Sequence, residues 1–109
     1  MITNEKLFSI QVERNIKAKE LEKQGQIDKA IELYEANVNE GFEGNFPYDR
    51  LRIIYNKLKR QTDVIRVLEK AVYIFENEVY AGKGDRLPKL ERFKSELGKA
   101  KLKQQGKVR

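Results

Sequence analysis

The sequence predicts an all-α fold of about five helices: two stacked helical hairpins followed by a C-terminal capping helix. The first observation behind this is a self-match at a displacement of about 34 residues, the length of a two-helix repeat. Residues 30–38 (AIELYEANV) align with residues 64–72 (VIRVLEKAV), with Ile31/Ile65, Glu35/Glu69 and Val38/Val72 identical and the apolar spacing kept. A period of this length marks a supersecondary unit that cannot bury its apolar face alone and so stacks on its neighbour. The second observation is that apolar residues recur at helical spacing throughout the chain, with few β-branched alternations. The third is punctuation: only two Pro and seven Gly, most of them gathered at points where one apolar pattern stops and the next begins.

The first helix starts near Asn4 or Ser9 and runs to about Gln24, with Leu7, Ile10, Ala18 and Leu21 on one side and Val12 and Ile16 on another. Gly25 ends it, as glycine often does just past a helix. The second helix starts around Asp28, a residue able to accept backbone N–H bonds as an N-cap. It carries Ala30, Ile31, Tyr34 and Val38 inward and stops at Gly41-Phe42-Glu43-Gly44. The third opens at Asn45-Phe46-Pro47-Tyr48, where proline is tolerated because a first-turn N–H has no helical partner. Leu51, Ile54, Tyr55 and Leu58 form its buried stripe. Thr62 stands one full period after Asp28, so the cap chemistry is expected to repeat with the core. The fourth helix bears Ile65, Leu68, Val72, Phe75 and Val79 and reaches about Tyr80. Ala81-Gly82-Lys83-Gly84-Asp85 is a loop, and a fifth helix follows Pro88 with Leu90, Phe93, Leu97 and Ala100 on one face. One domain is expected over residues 1–105, with repeats at about 10–43 and 44–77, a capping helix at about 88–104 and a basic tail at 106–109.

Composition narrows the function. The chain has no Cys and no His, which removes disulfides, thiolate metal sites and the commonest general base and metal ligand. Neither a cofactor nor a metal is expected. No run of about 18 apolar residues is present, so no membrane span is expected. The N-terminal stretch Met1-Ile2-Thr3-Asn4-Glu5-Lys6 has no apolar signal core, so a cytoplasmic location follows by default. Lys and Arg number 23 against 17 acidic residues, a net charge of +6, and residues 99–109 hold five basic residues and no acidic one. Such an excess is either a solvated helical surface or a footprint for an acidic partner or nucleic acid.

The period, the two helices per repeat and the turn glycine resemble the tetratricopeptide repeat family. In the first repeat the resemblance rests on Ala18, Leu21, Gly25, Ala30 and Tyr34; in the second on Tyr48, Leu51, Tyr55, Leu68 and Ala71. Small residues let helices approach and the aromatics fill the hollows between them. The pattern spans about residues 10–77, and departs from the family at Arg14, Arg52, Lys59 and Val64. The resemblance implies a right-handed stack whose concave face is lined by the first helix of each repeat. That face would present Val12, Asn15, Ile16, Lys19 and Lys23, then Phe46, Asp49, Arg50, Ile53, Asn56 and Lys57. Apolar residues rimmed by Lys and Arg suit an extended or helical peptide with acidic and apolar residues. The competing expectation is that the fifth helix, or the segment before Ser9, folds across the groove. The Lys and Asn set with which some family members grip a terminal carboxylate is not reproduced.

Catalysis is not expected. Gly82-Lys83-Gly84-Asp85 lacks the spacing of a phosphate loop and follows no strand. Glu76 and Glu78 point in different helical directions. Glu13, Glu20 and Glu22 read as surface ion pairs with neighbouring lysines, and Tyr34 and Tyr55 as packing residues whose hydroxyls find partners. Three functions follow: a protein-interaction module first, then nucleic-acid binding through the basic surface, then self-association as a homodimer through the exposed edge of the last hairpin.

Overall fold

The computed structural model describes residues 3–106. Five helices follow one another: α1 (Asn4–Lys23), α2 (Ile27–Asn39), α3 (Phe46–Lys57), α4 (Gln61–Asn77) and α5 (Arg86–Gly106), with no strand among the described residues. Each helix packs on the next in the chain, and α2 also touches α4. The protein is thus all-α. Its core joins Ala18 and Leu21 of α1 to Tyr34 of α2, Tyr48 and Leu51 of α3, Leu68 and Phe75 of α4, and Leu90 and Phe93 of α5. Phe93 is the pivot for α5, meeting Tyr48 edge-on at 6.0 Å and Phe75 at 5.3 Å between ring centroids.

The sequence period reappears in the backbone of the two tight turns. After α1, Gly25 N–H bonds Glu22 O and Gln26 N–H bonds Leu21 O; after α3, Lys59 N–H bonds Asn56 O and Arg60 N–H bonds Tyr55 O. This double bonding closes a helix end through one left-handed residue. Gly25 has φ 79°, and Lys59, its counterpart, has φ 59°. Lys59 therefore takes up a conformation that costs an L side chain about 1–2 kcal/mol.

Several boundaries differ from the sequence reading. Asp28 and Thr62 are not N-caps. Each following helix starts directly after the left-handed turn, with Gln26 and Arg60 at the cap positions and no side-chain cap bond. Their carbonyls already accept from Ala30 N–H and Val64 N–H, which leaves Asp28 inside the first turn. There a carboxylate suits the positive end of the helix dipole. Asn45 precedes α3 but bonds Asp49 through its side chain rather than a backbone N–H. Helix α4 ends at Asn77, short of Tyr80, although Val79 is still buried. Helix α5 begins at Arg86, before Pro88, which sits in the first turn where its missing N–H has no consequence. Leu58 does not join the α3 stripe: it is 47% exposed at the turn. Gly106 belongs to α5, and the rest of the expected tail, 107–109, lies outside the described residues.

Helix α1 departs furthest. Its buried face is Gln11, Asn15, Ala18 and Leu21, so two of the four inward residues are polar. They are held by Asn37 of α2, which is fully buried. Asn37 Nδ2 donates to Gln11 O (2.8 Å) and Asn15 Oδ1 (2.9 Å), and its Oδ1 accepts from Arg14 Nη1 (3.0 Å). Arg14 and Gln11 then share the Glu40 carboxylate at the end of α2.

Candidate binding groove

The residues expected on one concave face divide between two sides of α3. Phe46, Arg50, Ile53 and Lys57 recur at helical spacing along one stripe, and Asp49 and Asn56 along another. Phe46 and Arg50 of the first stripe face α1, while Ile53 and Lys57 do not line the groove there. In that open groove of about 330 Å³, Lys19, Glu22 and Lys23 from α1 meet Phe46 and Arg50 from α3. The second stripe faces α5. Asp49 accepts from both Arg92 Nη atoms, at 2.7 and 2.9 Å, and Asn56 lines a small cleft with Glu96 and Lys99. Helix α5 thus occupies one side of α3 and leaves the α1 side open. Of the segment before Ser9, residues 4–8 form the opening turns of α1 rather than a cover. Asn15 is buried against Asn37 and takes no part in the groove surface. Val12 is half-buried, whereas Ile16 is 62% exposed.

Helices α1 and α3 each pack on α2, and a three-residue clamp ties them together. The Glu22 carboxylate accepts from Tyr34 Oη (2.6 Å), from Arg50 Nε (3.1 Å) and from Arg50 Nη2 (2.5 Å). Burial pushes the Glu22 carboxyl up, but the hydrogen bonds from Arg50 and Tyr34, with Lys57 nearby, outweigh it and hold the group below its ordinary value. Burial, together with the Glu22 carboxylate, drives the Tyr34 phenol upward, so it stays a donor. The Phe46 ring meets Tyr34 edge-on at 6.0 Å, which fixes the apolar wall beside the clamp.

This arrangement changes what each cation can do. Arg50 is committed to Glu22 in a bidentate pair, the geometry for which a guanidinium is suited. Lys19, Lys23 and Lys57 are exposed and form no ion pair among the described residues. A ligand anion therefore meets the lysines first, with Arg50 as a fixed wall. Sequence reasoning missed Glu22 as the clamp, because spacing along one helix points only to neighbours three or four residues away. Its partner stands 28 residues away on α3. The tyrosine hydroxyls do find partners: Tyr55 donates to Glu35 in a second clamp, which Arg66 closes from α4.

Among the described residues no cluster of acidic side chains could hold a metal ion, and no helix is long and apolar enough to cross a membrane. Comparison of the chain with protein-family profiles, with characterised proteins and with solved structures finds no match.

Proposed function

We propose that the chain is a tetratricopeptide-like interaction module whose α1/α3 groove binds a peptide segment carrying acidic and apolar residues. The observation that carries this reading is an exposed Ile16, one turn from Lys19 on α1, beside a groove whose two lysines, Lys19 and Lys23, lack carboxylate partners among the described residues. An apolar residue left wet within a cationic rim favours a partner that supplies both an apolar contact and negative charge. The repeat reading is supported by the left-handed turns at Gly25 and Lys59, which stand one period apart with the same pair of closing hydrogen bonds.

The test is calorimetry against peptides that alternate acidic and apolar residues, with a neutral scrambled peptide and a single-stranded RNA as comparators. The acidic-apolar peptide is expected to bind, and less tightly as salt rises. The double change Lys19→Glu/Lys23→Glu should abolish capture while helicity stays unchanged. Arg50→Glu should abolish it as well and also loosen α1, since it places a second carboxylate against Glu22. Capture that survives the lysine reversals would sink the groove assignment. Binding of RNA alone would move the function to the second class.

A further inference from the structure

We propose that the protein self-associates head to tail, the last turns of α5 in one copy docking into an acidic apolar cleft at the start of α1 in the next. The cleft has a volume of about 550 Å³ and lies between α1, the α2–α3 turn and the α4–α5 loop. Two aromatic rings furnish it. Phe8 lies flat on Phe42, 5.4 Å between centroids and 7° between planes, yet is 52% exposed. Tyr80 is 77% exposed, and its ring is seated so closely over Gly82 that a Cβ there would come within 2.5 Å of it. The glycine-rich loop thus serves to seat an aromatic ring. Rings held in place and left wet are an apolar surface with no partner among the described residues.

Charge selects the occupant. Glu5 and Glu43 line the cleft without ion pairs among the described residues, and Lys83 is the cation set against them. At the far end of α5, Leu102 is 69% exposed, one turn from Lys99, in a stretch that also carries Lys101 and Lys103 and no acidic residue. Lys103 forms no ion pair among the described residues, and Lys99 only a 3.9 Å contact with Glu96. An apolar side chain in a wholly cationic helix end complements an apolar cleft that holds unpaired carboxylates.

The two surfaces of one copy cannot meet. The cleft flanks the start of α5, and Leu102 stands about 24 Å further along that helix. The helix is pinned to α4 by the Gln61 bond to Ala100 O and by Phe93 against Phe75. Only a second copy brings them together, and such a contact is heterologous, building chains or rings rather than a closed twofold pair.

Sedimentation velocity of the whole chain over a concentration series tests this. The average mass should rise with concentration and fall back as salt is raised. Leu102→Asp and Phe8→Asp should each weaken association at least about tenfold, the loss expected for one well-placed apolar contact. Tyr80→Asp replaces Phe8→Asp if circular dichroism shows the latter to be misfolded. The decisive arm mixes a tail variant with a cleft variant. Each keeps one intact surface, so the mixture should form dimers and grow no further. A wild-type monomer at every concentration, association indifferent to Leu102→Asp, or a mixture that stays monomeric would each overturn the proposal.

Discussion

The two helix pairs are built on one backbone plan and filled with opposite chemistry. In the second pair the contact is apolar: Tyr48, Leu51 and Ile54 of α3 meet Val64, Leu68, Ala71 and Phe75 of α4. In the first pair the same region is a hydrogen-bonded network around Asn37. The contrast is sharpest at one position. Asn37 and Ala71 are equivalent, one period apart, and both are fully buried. A methyl group suffices where the neighbours are apolar. A buried amide is tolerated only because its donor and acceptor are both used. The two pairs therefore share their helix ends and close approach, while the means of filling the interface is free to change.

The largest effect should come from the apolar pair. Phe75→Ala removes a ring at the junction of α3, α4 and α5 and should cost about 3–5 kcal/mol in urea unfolding followed by circular dichroism. A loss below about 1 kcal/mol would mean that the second pair is not the main core. Next comes the exchange at the equivalent position. Asn37→Ala takes the donor from the buried Asn15 Oδ1 and should cost about 1–3 kcal/mol. Ala71→Asn places an amide among apolar neighbours and should cost a similar amount, about 1–3 kcal/mol, for the opposite reason. If either change is neutral, the two interfaces are less different than their contacts indicate.

Smaller effects sharpen the comparison at the turns. Lys59→Gly should stabilise the protein by about 1 kcal/mol, since it removes the left-handed strain at φ 59°. Gly25→Ala should destabilise by a similar amount, about 1 kcal/mol. Equal responses of one sign would show that the two turns are not equivalent.

Acid should distinguish the pairs most gently. Arg14 hydrogen bonding holds Glu40 below its ordinary value of 4.5, and Glu22 is also held low, with its bonds from Arg50 and Tyr34 outweighing burial. A carboxylate depressed in the folded state contributes its full stability above its unfolded value and loses it as pH falls through the folded one. Both groups secure α1, so the urea midpoint should decline below about pH 4.5, the ordinary value for both. Glu22→Gln should flatten that decline. A slope unchanged by Glu22→Gln would remove the clamp as a source of acid sensitivity.

Helix number and order, the turn at Gly25 and the loop at Gly82–Gly84 were legible in the sequence, because helical periodicity and glycine placement act locally. The stripe expected on α4 was half right: Leu68 and Phe75 are buried, but Ile65 and Val72 are only partly so, and Val64, Val67, Ala71 and Ile74 complete the inward face. The inward face of α1 was not. Pattern reading equates burial with apolar side chains, and Gln11 and Asn15 break that equation through partners on another helix. The candidate groove was half legible. Helical spacing put Phe46, Arg50, Ile53 and Lys57 on one stripe, but nothing local announced that Asp49 would be taken by Arg92, which is 43 residues away.

By itself the sequence determined an all-α chain with an internal period, closed helix ends and a cationic surface, since propensity, periodicity and charge need no knowledge of distant partners. Tertiary structure decided which polar residues are interior and which cations are committed. It also decided that α5 closes one side of α3 and leaves the other open. These outcomes depend on which side chains arrive within hydrogen-bonding distance from separate helices, and packing alone sets that.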